Sequence, residues 1–180
     1  MPVSVTQFNA LPVDNNPAWP MTPAALGQKL EENQVKSILY SHRPVFTVPE
    51  GADIKKAIPG GHCRNLFVKD KKGNMALITA LNETEIDLKL LAERIGFGRL
   101  SFGSAERLEN TLGVKPGSVT PFAILNNREK NVINILDEAM FNHEMICVHP
   151  LVNSMTVSLS PQDLQRFLTD CGYTPRIMAF

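Results

Sequence analysis

Apolar positions recur along the chain with two periods, close to 3.6 in some stretches and 2 in others, and the changes between them mark the predicted elements. Leu26, Leu30, Ile38 and Leu39 form a partial apolar stripe behind Thr22 and Pro23, which suit an N-cap and a first helical position; a helix is expected over 22–41. A short strand over 45–48 and a short helix over 49–57 follow, the latter stopped before Pro59-Gly60-Gly61. Runs at 65–69 and 75–81 flank the polar turn Asp70-Lys71-Lys72-Gly73-Asn74 and predict a hairpin. Ile86, Leu90, Leu91 and Ile95 have helical spacing with Gly96 as a stop, and Ser104 opens another helix that ends near Gly113. A second hairpin is expected from 122–125 and 132–136, and two more strands, 145–148 and 155–159, from the runs around the turn at 149–153. Ser160-Pro161 caps a last helix through Leu164, Phe167 and Leu168, and a final strand covers 176–179.

Strands outnumber helices and most neighbours read as hairpins, so the fold class is α+β, a single compact domain with a mainly antiparallel sheet flanked by helices. Residues 1–20, with Asp14-Asn15-Asn16 followed by Pro17 and Pro20, read as an irregular N-terminal arm, and 21–180 as the domain. A length of 180 residues suits one core, and 43% hydrophobic with 20% charged residues is ordinary for a globular protein. No apolar run approaches the ~20 residues that cross a bilayer, and no secretory signal is visible, so a cytoplasmic, non-membrane protein is expected. Cys63, Cys147 and Cys171 are odd in number and widely spaced, which suggests reduced thiols rather than a disulfide framework or a zinc site.

Eighteen basic and eighteen acidic side chains leave a formal net charge of zero, which argues against coating long stretches of nucleic acid. Any such contact is local. The candidate patch is Arg64, Lys69, Lys71 and Lys72 with Lys55 and Lys56.

There is no G-x-S-x-G elbow, H-E-x-x-H, Walker loop or strand-borne G-x-G-x-x-G, and the four histidines lack metal-ligand spacing. What remains is a set of polar groups at strand edges and one loop, Lys115-Pro116-Gly117-Ser118-Val119-Thr120-Pro121-Phe122. Glycine permits close backbone approach and proline fixes the exit, so the amides and carbonyls between them become an oriented set; an ordinary tight connection has the same composition. His149 lies where a strand meets Pro150, placed either to face a cleft or to cap the turn. Arg64 and Asn65 follow Gly60-Gly61 at the start of a strand, one inward and one outward; the first suits phosphate, the second a hydroxyl or amide. Cys63 has no general base beside it and reads as a plain small residue.

In one colinear order, Pro59-Gly60-Gly61-His62, Asn65-Leu66-Phe67, Ser104-Ala105-Glu106-Arg107-Leu108, the Gly117 to Pro121 loop, Leu136-Asp137 and His149-Pro150-Leu151 resemble a known family. It is the YbaK/prolyl-tRNA-synthetase-associated domain superfamily, in its PrdX or ProX branch of freestanding Ala-tRNA(Pro) deacylases. The resemblance covers about residues 22–180. It implies a curved mixed sheet and hydrolysis of the ester joining a wrong amino acid to the terminal adenosine of tRNA, with no metal or organic cofactor. The implied partners are the acceptor end of tRNA(Pro) and prolyl-tRNA synthetase. The family's G-x-x-x-P loop falls on Gly117 and Pro121, its strand asparagine on Asn65 and its histidine on His149, with Asn153 matching an asparagine that follows. The family usually has lysine where this chain has Arg64.

These matches give Arg64, Asn65, Gly117 and His149 as candidate catalytic residues and Ser118, Val119, Thr120, Pro121, Phe122 and Asn153 as candidate substrate-binding ones. An aminoacyl ester is already activated, so positioning and oxyanion stabilisation suffice: the loop backbone holds the amino-acid end and orients a water, Arg64 and Asn65 engage the nucleotide, and His149 meets the sugar or the water. A pocket near Val119 and Phe122 that admits alanine and excludes proline completes a double sieve. Two alternatives remain, the same reaction on another ester such as Cys-tRNA(Pro), and a non-catalytic aminoacyl-tRNA-binding module.

Overall fold

The computed structural model describes residues 2–13, 19–45, 47 and 49–180. Among these residues nine strands form one mixed sheet: β1 (Ser4–Thr6), β2 (Ser37–Ser41), β3 (Gly61–Lys69), β4 (Met75–Leu81), β5 (Ser101–Phe102), β6 (Val132–Asp137), β7 (Ile146–Val148), β8 (Met155–Leu159) and β9 (Arg176–Met178). Their order is β1-β2-β8-β7-β3-β4-β6-β9, with β5 beside the far end of β3. The β3–β7, β4–β6 and β6–β9 pairs are parallel and the rest antiparallel, so the sheet is mixed and mostly antiparallel, as expected.

Five α-helices among the described residues cover the sheet: α1 (Pro23–Glu32), α2 (Ala52–Ala57), α3 (Leu88–Ile95), α4 (Ala105–Leu112) and α5 (Pro161–Asp170). The pleat divides their work. On one face Phe67, Leu77, Leu81 and Leu136 meet α1, α4 and α5 in the larger core; on the other Val68, Ala76, Ile78 and Ile135 meet α3. Helix starts follow the caps expected of them. The Thr22, Ser104 and Ser160 side chains accept bonds from the amides of Ala25, Arg107 and Asp163, and Asp87 caps α3. The predicted Asp70 turn is held by that carboxylate, which accepts from the amides of Lys72, Asn74 and Gly98 and from the Asn74 side chain.

Three expectations need correction. The first helix ends at Glu32: Asn33 caps it, Gln34 takes φ 52°, the Val35 amide returns to Leu30 at 2.9 Å, and Ile38 and Leu39 enter β2. The second hairpin does not form. Pro121 opens a 3-10 turn, Pro121–Asn126, whose six side chains are all buried, and β6 pairs in parallel with β4 instead. A continuous apolar run has no period to tell strand from helix, and tertiary contacts decided it: the buried Asn126 amide accepts from the Met21 amide and donates to the Met21 and Leu112 carbonyls. The N-terminal residues, read as irregular, supply β1 on the sheet edge and a 3-10 turn, Phe8–Ala10, with Leu11 in the core. The Asp14-Asn15-Asn16-Pro17 stretch lies outside the described residues. So do Phe46 and Val48 of the strand expected over 45–48, and Val45 is not in a strand.

Phe122 is fully buried and meets Phe167 edge to face, with ring centroids 5.8 Å apart. Phe122→Ala is expected to cost about 3–5 kcal/mol of stability. Chemical denaturation checks this, with a lower midpoint at unchanged slope.

Candidate active site

The site lies where two strands part. β3 and β7 pair over only two positions, Gly61 with Ile146 and His62 with Cys147, and β3 next meets a strand on that side at Val68 and Lys69. The close start needs glycine: Gly60 has φ 120°, and a Cβ there would sit 2.7 Å from the Met145 carbonyl oxygen. Beyond it the strands separate around a cavity of about 230 Å³.

The loop after α4 lies along this opening and is stitched to both strands. Asn65 Nδ2 donates to the Val119 carbonyl at 2.9 Å, and the Thr120 hydroxyl donates to the His149 carbonyl at 2.5 Å. Gly117 takes φ 89°, which lets the chain turn into this position, and Pro121 starts the 3-10 turn behind it. Only Ser118, among the three non-proline residues 117–119, spends its amide on a described residue, the Lys115 carbonyl at 3.0 Å.

Arg64, Asn65, Gly117, Val119 and His149 all line the cavity. Ser118, Thr120, Pro121, Phe122 and Asn153 are not among its lining residues. Thr120 and Pro121 brace the loop, and Asn153 acts through its backbone, its carbonyl accepting from the Val45 amide at 3.0 Å. Phe122 belongs to the core because the 3-10 turn rotates it away from Val119, so the pocket wall expected from it is Val119 alone. Asn65 also holds the frame of the site. Its Oδ1 accepts from the Thr79 hydroxyl at 2.7 Å, so one donor and one acceptor of the amide hold the loop and β4 while the side chain lines the cavity.

Arg64 and Asn65 fall on opposite faces of β3, as the pleat requires. Arg64 Nη2 donates to the Thr84 carbonyl at 2.6 Å, while its Nε is buried without a partner. The proposed basic patch divides. Lys55 of α2 lines the cavity with Glu83 3.9 Å away, whereas Lys69, Lys71 and Lys72 lie at the other end of β3, with Lys69 roughly 17 Å along the strand from Arg64.

Sequence reasoning gave His42 and His62 no role, yet both line the cavity with His149, as does Thr156. Their signal was position: each histidine adjoins a strand end. His149 Nδ1–H donates to the Met155 carbonyl at 2.9 Å and His62 Nε2–H to the Ile58 carbonyl at 2.8 Å. A carbonyl can only accept, so in the neutral rings His149 keeps a lone pair on Nε2 and His62 on Nδ1. His42 uses both nitrogens, donating to the Arg43 carbonyl and accepting from the Thr156 hydroxyl at 2.9 Å; its ring lies 6.3 Å from that of His149. Burial lowers the pKa of all three histidines, and for His149 the other two imidazoles add to it, against the pull of the Met155 carbonyl. Burial also pushes the Cys63 thiol well up and Cys147 up to about 11, which leaves neither as a thiolate near neutrality. No group of three or more His, Cys, Asp or Glu side chains suited to a metal ion occurs among the described residues.

The architecture has known counterparts. The family model described as the aminoacyl-tRNA editing domain matches residues 42–167, a span that holds every cavity residue named above. The chain belongs to the aminoacyl-tRNA editing domain family. Within it, the prolyl-tRNA editing protein ProX of Acetoanaerobium sticklandii is 36% identical over 147 residues, 81% of this chain and 90% of that protein. Prolyl-tRNA synthetase associated domain-containing protein 1 of Bos taurus is 35% identical over 162 residues, 87% of this chain and 94% of that protein. A crystal structure of a candidate trans-editing enzyme for prolyl tRNA synthetase shares the fold, with TM-score 0.67 at 16% identity over 92% of this chain and 98% of that one. No helix among the described residues of this editing domain is long and apolar enough to cross a membrane.

Lowered imidazole pKa values fix a pH dependence. The unfolded chain binds protons near the ordinary value of 6.5, the folded one only below it, so stability is complete above that value and falls as pH drops through it toward the folded values. Unfolding free energy at pH 5.5 is expected below that at pH 7.5, and denaturation at the two pH values measures it. An equal or higher value at pH 5.5 contradicts neutral buried imidazoles.

Proposed function

We propose that this protein is a trans-editing deacylase that hydrolyses the ester of alanine wrongly attached to tRNA(Pro), working beside prolyl-tRNA synthetase in the cytoplasm. The observation that carries the reading is the loop from Gly117 to Pro121, tied to β3 by Asn65 and to the end of β7 by Thr120, beside a neutral His149. The family and the names of its relatives support the prolyl-tRNA context.

In this reading the aminoacyl group enters the cavity between β3 and the loop. Water attacks the ester carbonyl carbon, the bond to the ribose oxygen breaks, and that oxygen leaves with a proton. Amides of Gly117 and Val119 not already bonded within the fold are the donors for the developing oxyanion. His149 Nε2 accepts a hydrogen bond from the neighbouring ribose hydroxyl, a role that needs the ring unprotonated and held by Met155. Arg64, tethered to Thr84, serves binding through the N–H groups that this bond leaves over. Val119 sets the wall that excludes proline, since rejection by volume exceeds what missing methylenes can give by attraction.

Purified protein is expected to release alanine from Ala-tRNA(Pro) at least about tenfold faster than proline from Pro-tRNA(Pro), the lower end of discrimination by about 1–3 kcal/mol. Equal rates on the two would defeat the proposal. Faster release from Cys-tRNA(Pro) would move the assignment to that ester, and binding without turnover to a non-catalytic module. Arg64→Ala is expected to raise KM with kcat largely kept; a fall in kcat at unchanged KM would place Arg64 in the chemical step.

A further inference from the structure

Thr79 lies in the middle of β4, fully buried, and is the cross-strand register partner of Asn65. Its backbone is paired on the other side with Leu136 of β6, so its hydroxyl is held by strands on both flanks. That hydroxyl donates to Asn65 Oδ1 at 2.7 Å, and Asn65 Nδ2 donates to the Val119 carbonyl at 2.9 Å.

The polarity of this chain of bonds is set at one end. A hydroxyl can give or accept, and an amide can turn over, but the Val119 carbonyl can only accept. Nδ2 must therefore face the loop, Oδ1 must face β4, and Thr79 must donate. Each position is determined by the next, and at its inner end, where Thr79 is fully buried, a mismatched partner is left unsatisfied.

We infer that Thr79 is a positioning residue of the editing site: it locks the Asn65 amide, and through it the Val119 wall, so that the cavity keeps the width that separates a small aminoacyl group from a larger one. This rests on the deacylase reading for its substrate and on the bonds alone for its geometry. Without the hydroxyl, Asn65 Oδ1 faces a fully buried position of β4 that offers no donor, the amide gains reason to turn toward other partners, and the loop loses its tie to β3. Thr79 touches no substrate. It works at one remove, through Asn65, on the wall that does.

The test compares wild type with Thr79→Val, which keeps shape and loses the donor, and Thr79→Ser, which keeps the donor and loses a methyl. Two readouts run in parallel. One is hydrogen exchange of the Ser118 and Ala123 amides, which close turns on either side of Val119 by bonding the Lys115 and Thr120 carbonyls. The other is the ratio of alanine to proline release from the two esters of tRNA(Pro). The expected result for Thr79→Val is about tenfold faster exchange at both amides, the worth of one net hydrogen bond, and a ratio lowered by a similar factor, with Thr79→Ser close to wild type in both. Unchanged exchange in Thr79→Val overturns the positioning role. Faster exchange with an unchanged ratio overturns the claim on selectivity, and parallel loss of melting temperature in both variants with no other change marks a purely structural residue. If wild type releases neither amino acid, the deacylase reading fails, and the exchange of Thr79→Val against Thr79→Ser still decides whether Thr79 holds the loop.

Discussion

Two parallel strands that meet and then part govern this molecule. β3 and β7 are hydrogen-bonded only at their first positions, because Gly60 and Gly61 bring the backbones into contact there and larger residues follow. Such a split exposes polar backbone that must be covered or solvated. A loop fills it, and the loop in turn needs partners on both banks. Asn65 supplies one and Thr120 the other, so the cavity and the stitches that frame it follow from the same divergence. α2 closes another side through Ile54 and Ile58, which pack with Cys147, and Arg43 fastens it by pairing with Asp53 at 2.7 Å.

Burial then decides the chemistry that this frame can hold. Three imidazoles share a small cavity with no carboxylate among its described lining residues, so desolvation favours their neutral forms. Neutral rings anchored to carbonyls have fixed tautomers, and fixed tautomers give acceptors of known position. The thiols are silenced by the same burial. Among the described residues the cavity is therefore equipped to orient and to accept hydrogen bonds rather than to supply a thiolate, which fits the proposed hydrolysis of an already activated ester.

Much of the fold was legible because its signals are local. Thr22, Ser104 and Ser160 cap helices, Gly96 and Gly113 stop them in the left-handed region, and Asp70 with Gly73 makes the hairpin, each decided within a few residues. What escaped was set at long range. The run from Phe122 became a 3-10 turn through contacts such as Asn126 with Met21, 105 residues away, and Gln34 ended a helix in a conformation that glycine usually marks. The site divides likewise. Gly117, Asn65 and His149 stood out by their place beside turns and strand ends, whereas Thr79 inside an apolar strand and Thr156, which meets His42 across the sheet, carried no sequence signal. That Asn65 ties the loop to β4 needed coordinates, since an asparagine offers the same donors and acceptors to a loop as to a ligand.

Arg64 shows how this frame spends its charge. With equal acidic and basic totals the protein has no broad field to hold a polyanion, so each cation near the cavity counts individually. Lys55 stands near Glu83 and Arg43 is paired with Asp53, which leaves Arg64 as the cavity-lining cation with no acidic partner at ion-pair distance among the described residues. Its tie to Thr84 reaches a residue whose hydroxyl donates to Asp137 at 2.5 Å, while Asp137 also takes the Leu81 and Ala139 amides. The guanidinium is thus anchored to a rigid corner by one nitrogen. An ammonium at this position would gather its three donors at one point, whereas a planar fork can hold that carbonyl with one nitrogen and keep its remaining N–H groups in a fixed plane for an anion. Arginine here keeps positive charge fixed at the edge of the cavity, and in the proposed reaction that suits a single phosphate better than a long nucleic-acid backbone.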